Sequence, residues 1–417
     1  MNHYTAETYQ MKRSILRYTE KISKDAAKDQ QKFTADMIYG ILASKSCILS
    51  RMADVLYEEI EKKNTVDRLS RKLAEEIPCG IEQNYLDMVG ELIDPNEGVF
   101  VDDSDVIKPY GMKFESLGVV RDGSAIVPKL EKGYHITEIT ALTKESRQPL
   151  SLYSKIHSSQ EKDFVSVNTI TYEALRRSFE IAPEATYVFD RGYDMNDLFT
   201  FMYRNNKQFI VRLTEKRKIL WKGKWYKATT LRDSHKGKLK TNVMFNGVLT
   251  DCYISCMNVR ITESRRPLRL ILVYGLGETP MMLVTNRAIQ SKDDAIRVIR
   301  IYFSRWRIEE YFRFKKGHFD FEDFRVRSLA AMNALNRFVS YAIAFLGMMS
   351  TKKDNHQLKW AILRQAKALR EKVSFFLYRL GLGVVRILGH AYTGIRAWFH
   401  IGRPKYVQLE FDFLGLS

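Results

Sequence analysis

The chain has 417 residues, 45% of them hydrophobic and 12% aromatic, which excludes a disordered polymer and, at this length, a single small core. Its 67 Lys and Arg outnumber 49 Asp and Glu, for a net charge of +18. A field of that sign favours a polyanion, nucleic acid first, although a membrane surface or a merely basic soluble protein fits the charge as well.

Residues 1–94 read as helical. Ile38, Ile41 and Leu42, then Leu49, Met52, Leu56 and Ile60, recur at helical spacing, with lysines and arginines on the outer faces. Such a region suits a DNA-binding domain, though no helix-turn-helix signature stands out. Cys47, Cys79, Cys252 and Cys256 form no Cys-x-x-Cys pair, so buried free thiols are expected rather than zinc. The N-terminus lacks the apolar core of a signal peptide, and Phe338–Met349 is too short an apolar run to cross a bilayer. The expected compartment is the cytoplasm.

Asp94-Pro95-Asn96-Glu97-Gly98 is a turn cluster and marks a boundary. Beyond it, GVFVD (98–102) reads as a short buried strand ending in an acid. Strands follow near 134–142 and 150–156, then a helix over 163–181. ATYVFD (185–190) is a second buried strand ending in an acid, followed by a helix over 194–205 and the strand QFIVRL, 208–213. This order predicts a mixed α/β domain, with its first part at 95–213. Residues 214–285 shift to short β-like runs between Lys-Gly and Asn-Gly turns, a β-rich insertion. Ser291 then caps one long helix, in a second part of the domain at 286–350, and 351–417 is a basic helical tail.

In open α/β sheets, groups at strand ends face the crevice where ligands bind. Asp102 and Asp190 occupy such places; each alone reads equally as a strand-end acid that starts a turn or caps a helix. As a pair they suit a hard divalent cation, which needs carboxylates converging from several elements. The stretch YFSRWRIEEYFRFKK (302–316) offers a third acid. With Tyr302 at zero and about 100° per residue, Arg305 falls at about −60°, Glu309 at about −20° and Lys316 at about −40°. That stripe fits a metal-bound phosphate: Glu309 on the metal, with Tyr302, Arg305 and Lys316 on phosphate oxygens. It fits equally a surface stripe with an Arg305–Glu309 ion pair. Trp306, about 40° to the other side, is either a packed core residue or a platform for a displaced base. Asp103 is the alternative first acid if the strand ends one residue earlier, and Glu310 is the weaker neighbour of Glu309.

The spacing Tyr302, Arg305, Glu309, Lys316 resembles the Y-x2-R-x3-E-x6-K signature of DDE transposases from bacterial insertion sequences, in particular the fourth insertion-sequence family. Asp102 in VFVDDSD and Asp190 in VFDRGYD are similar to that family's first two catalytic acids. The resemblance covers residues 95–350 with motifs and the ends by character only. It implies a ribonuclease-H-like catalytic domain with a β-rich insertion and helical flanks. It implies Asp102, Asp190 and Glu309 as ligands of two Mg²⁺ ions, with Mn²⁺ as a substitute. It further implies DNA contacts from Tyr302, Arg305, Trp306, Lys316 and Arg191, and cut-and-paste transposition through a hairpin. Partners would be terminal inverted repeats and target DNA, bound by a homodimer on paired ends within a bacterial nucleoid. A DNA-binding regulator without catalysis, or a nuclease that cuts without rejoining, are the alternatives.

Overall fold

The computed structural model describes residues 3–123, 127, 129–245, 248–261, 266–351, 356–366 and 375–397. Helices α1 (His3–Ile22), α2 (Lys28–Ser44), α3 (Leu49–Leu56), α4 (Lys62–Ala74) and α5 (Cys79–Leu92) come first. Their apolar stripes face inward: α3 buries Leu49, Met52, Ala53 and Leu56, and α4 buries Leu69 and Leu73.

A ten-stranded mixed sheet follows. Its first half holds β1 (Val99–Ile107), β2 (Gly118–Asp122), β3 (Lys129–Leu142) and β4 (Pro149–His157). Strand β3 pairs antiparallel with β1, β2 and β4. Helix α6 (Val167–Ile181) leads to β5 (Thr186–Phe189), and α7 (Asn196–Arg204) to β6 (Gln208–Arg212). Strand β5 lies parallel to both β1 and β6. An antiparallel half that turns parallel at β1, with crossover helices, is the ribonuclease-H-like arrangement.

A small hairpin, β7 (Lys218–Trp221) and β8 (Lys224–Lys227), and the short α8 (Ala228–Ser234) interrupt this sheet. Strands β9 (Leu239–Phe245), β10 (Val248–Val259), β11 (Leu268–Tyr274) and β12 (Met281–Thr285) then rejoin it, β12 pairing antiparallel with β6. The β-rich segment therefore extends the main sheet.

Where one long helix was expected there are two, α9 (Lys292–Phe303) and α10 (Trp306–His318). After them comes α11 (Leu329–Thr351), long and apolar enough to cross a membrane, yet 78% of its apolar window is buried within the protein. It packs on β4, α2 and α4 as the central core helix. Beyond it lie α12 (His356–Gln365) and α13 (Leu377–Leu388).

The two helical ends of the chain share one apolar core. Lys12 Nζ donates to Thr393 Oγ1 at 3.0 Å, and the buried Asp36 accepts from Arg68 and Arg396, each at 2.9 Å. Of the 351–417 tail, residues 352–355, 367–374 and 398–417 lie outside the described residues. The cysteines are free thiols, but only Cys47 and Cys252 are buried; Cys79 and Cys256 reach the surface.

Candidate active site

Strand β5 pairs with β1 only along Val99–Val101, opposite Tyr187–Phe189. It stops there because Asp190 turns the chain: its carboxylate accepts from Gly192 N–H at 2.7 Å and caps a single 3-10 turn, Arg191–Tyr193. Strand β1 runs on to Ile107 against β3 alone. Asp102 is thus not at a strand end. It sits where the other edge of β1 becomes free, beside the carboxyl end of the parallel strand β5. The crevice forms at this gap.

The third side of the crevice is the corner between α9 and α10. Helix α9 begins with a reciprocal cap, Asp294 N–H donating to Ser291 Oγ at 3.2 Å and Ser291 N–H to Asp294 Oδ2 at 2.9 Å. After Phe303 the backbone tightens: Arg305, Arg307 and Ile308 N–H each donate to the carbonyl three residues back at 3.0 Å. The corner means that one helical wheel does not span 302–316. Tyr302 belongs to α9 and is buried, with Arg212 at the end of β6 close enough to lower its hydroxyl against burial.

Arg305 bridges the crevice. One guanidinium nitrogen donates to Asp102 Oδ2 at 3.2 Å and another to Glu309 Oε1 at 2.6 Å. A side chain from the corner thus ties together two acids that are far apart in sequence. The Asp102 carboxyl is raised to about 7: burial pushes it up, Arg305 pulls it down, and Asp190, Asp103 and Glu309 add smaller upward pushes. Burial works against the Arg305 charge too, but Asp102, Tyr302 and Glu309 keep it protonated well above its usual range. Burial also raises the Tyr302 hydroxyl, opposed by Arg305 and Arg212.

Adjacent residues of β1 face opposite sides of the sheet, and their bonding separates Asp102 from Asp103. Both Asp103 oxygens are held by hydroxyls, Thr137 Oγ1 at 2.5 Å and Tyr193 Oη at 2.7 Å. Asp102 accepts from Arg305 and, at 3.1 Å, from the N–H of Asp103.

The remaining expected residues spread out. Lys316 reaches Asp105 Oδ1 and Glu322 Oε1, each at 3.3 Å, rather than the Asp102–Glu309 pair. Arg191 is exposed beside Asp190. Trp306 is 48% exposed, so it is not a packed core residue. It lines a groove of about 720 Å³ between the α9–α10 corner and the β9–β10 hairpin, with Arg147, Arg300, Arg307 and Arg313. Glu310 pairs with Arg307 at 3.0 Å on that side. Arg212 escaped the sequence reading, although QFIVR ends a parallel strand by the rule that singles out Asp190.

Among the described residues, no three acidic, histidine or cysteine side chains form a ready metal cage. At the crevice a guanidinium lies between two of the acids. The donor set nevertheless suits a hard divalent cation: Asp102 is raised first by burial, and the negative charges of Asp190, Asp103 and Glu309 add to that rise against the one arginine.

Residues 143–344 match the family described as transposase DDE domain, a span that includes Asp190 and Glu309 and begins after Asp102. A search of curated proteins finds no match. Residues 143–344 thus carry a transposase DDE domain, the domain of enzymes that cleave and transesterify DNA with divalent metal ions.

Proposed function

We propose that the protein is a bacterial insertion-sequence transposase of the Tyr-Arg-Glu-Lys kind, moving its own element by cut and paste. The observation that carries this reading is the Arg305 bridge between Asp102 and Glu309 beside Asp190. It ties Asp102 of β1 to Glu309 of α10, and the charge of Asp190 is near enough to push Asp102 up.

Asp102, Asp190 and Glu309 would hold two Mg²⁺ ions, or Mn²⁺ in their place; such ions neutralise charge at the cleaved phosphate and ease deprotonation of the attacking oxygen. Arg305 offers its planar fork to a phosphate oxygen once the carboxylates are otherwise engaged. The Tyr302 hydroxyl, with Arg212 behind it, fixes a second oxygen. Arg191 and Lys316 carry the flanking backbone, and Trp306 stacks on a base displaced from the duplex. Water cleaves one strand at the element end. The freed 3′-hydroxyl then attacks the opposite strand, expelling the flanking DNA and leaving a hairpin, which is reopened before transfer to target DNA.

In this reading residues 1–94 grip the terminal repeat and 351–417 add basic helical surface. They flank a catalytic domain at 95–213 and 286–350 interrupted by the insertion at 214–285. Two copies assemble on paired ends within the nucleoid.

The test incubates the protein with Mg²⁺, a duplex bearing the inverted repeat that flanks its coding region, and a target plasmid. Joined product is expected. Cleavage without joining indicates a nuclease, and no cleavage indicates a regulator. Glu309→Ala should lower cleavage by roughly 10³-fold or more while duplex binding stays within about threefold, because metal ligation supplies several kcal/mol to the transition state alone. Full cleavage by that variant would sink the site assignment.

A further inference from the structure

The loop after β1, residues 108–117, is fixed at its base and bare at its tip. Lys108 Nζ donates to the carbonyls of Glu322 and, at 2.8 Å, Phe324, and lies 3.6 Å from the centre of the Phe324 ring. Phe114 meets the same ring edge-on at 6.2 Å, and Glu115 N–H donates to the Arg327 carbonyl at 3.0 Å. Between these anchors, Gly111 N–H closes a turn onto the Lys108 carbonyl at 3.0 Å. Pro109 leads that turn and presets its backbone. Gly111 faces inward, where a side chain would press on the Lys108 carbonyl and the Phe114 ring, each at 3.1 Å. Tyr110 and Met112 on either side of it face out, 94% and 85% exposed.

Two large apolar side chains held in water on a stiff, anchored turn contribute nothing to the core. The backbone turn that carries them is already closed and anchored, so a partner that covers them need not first order that loop. Charge and position select the partner. The chain carries +18, and Lys113 follows Met112 directly. The loop grows from the strand that bears Asp102. Its base is tied to Lys316 through Glu322, whose carboxylate also accepts from Ile107 N–H at 2.9 Å. Tyr110 is eight residues past Asp102, so the backbone path between them spans at most about 29 Å, under about nine base pairs of duplex.

The geometry points to a DNA wedge: Tyr110 and Met112 enter a base step of the duplex close to the acid crevice, unstacking and bending it. This inference rests on the transposase reading and adds to it a site that deforms the substrate. A bend at that distance carries the duplex around the loop and presents the strand in the crevice.

The test uses the full chain in EDTA and a duplex carrying 2-aminopurine at successive positions, with dyes at its ends. Wild-type protein should raise 2-aminopurine fluorescence by roughly twofold or more at a step that keeps its signal in Trp306→Ala, and so is distinct from a base displaced onto Trp306, and bring the dyes closer. Tyr110→Ser/Met112→Ser should bind within about threefold by anisotropy, since phosphate contacts dominate affinity, yet lose both signals. Tyr110→Phe should retain them. Equal signals from wild type and the double variant overturn the wedge, as does wild-type binding without unstacking; in both cases the transposase reading stands. Failure of the wild type to bind any duplex overturns both. Unchanged melting of the double variant shows that its fold is intact.

Discussion

Two cations on one helix, Arg305 at the head of α10 and Lys315 near its tail, are each held by acids on neighbouring strands. The acids themselves, Asp102 and Glu138, are cross-strand partners in the β1–β3 register and so share a face. Their surroundings differ. Lys315 is 1% exposed and donates to Glu138 Oε2 at 3.0 Å and Ser154 Oγ at 3.2 Å. Glu138 also accepts from the Ser151 and Ser154 hydroxyls, and Asn336 closes the ring by donating to Ser154 at 2.8 Å. Every charge there has its partner. Around Arg305 the balance fails: several carboxylates face one guanidinium, its Nε has no acceptor, and Asp102 is raised to about 7. The satisfied pair fastens α10 to the sheet. The unsatisfied one leaves negative potential that a bound cation would relieve, which sets an unbalanced charge group beside a balanced one on a single helix.

The first way to break the comparison is to remove Lys315. Lys315→Met leaves Glu138 buried without its cation and should cost about 3–5 kcal/mol. Adding Glu138→Gln should restore most of that, since neutral groups of similar shape need no counter-charge. Urea titrations of the single and double variants measure both effects. A loss under about 1 kcal/mol in the single variant would mean that the pair does not hold α10 in place.

A second variant sharpens how dry that end of α10 is. His318, 2% exposed, stacks on Phe314 with ring centres 4.7 Å apart. Burial, with a smaller push from Lys45, lowers its pKa to about 3. The folded value lies below the unfolded value of about 6.5, so above that pH neither state is protonated and stability is unaffected. As pH falls toward 3 the unfolded chain takes up the proton first, and stability drops. At pH 5 this amounts to roughly 2 kcal/mol. His318→Gln should therefore lose less stability than wild type between pH 7 and pH 5, read from denaturation midpoints. Parallel losses would show that His318 is solvated.

These contrasts also mark what could be read from the sequence. Asp190 was legible because a buried run ending in an acid is a local pattern, and Arg305 and Glu309 because four residues span one helical turn. Asp102 looked like a strand end because the DDSD run has poor strand propensity. Pairing with β3 overrides that preference and carries β1 on to Ile107, which gives Lys316 its partner in Asp105. The corner at Ser304–Arg305 has no glycine or proline to announce it. Strands β9–β12 read as a separate insertion because their alternation is local, whereas the pairing of β12 with β6 is not. The Glu138–Lys315 pair, joining residues 177 apart, left no trace in spacing.

The smallest expected effect is the one that reverses sign. If Asp102 is held ionised against its surroundings, Asp102→Asn should stabilise the fold by about 1–2 kcal/mol, because the amide needs no counter-charge and its oxygen still accepts from Arg305. The neighbouring Glu138→Gln should instead destabilise, because it leaves Lys315 buried without its anion. The two substitutions make the same chemical change at facing positions of one strand pair. Thermal melting in metal-free buffer compares them directly, and a parallel cleavage assay should find Asp102→Asn inactive. If both variants lose stability alike, the Asp102 carboxylate is as well satisfied as that of Glu138. The excess charge at the crevice would then not exist.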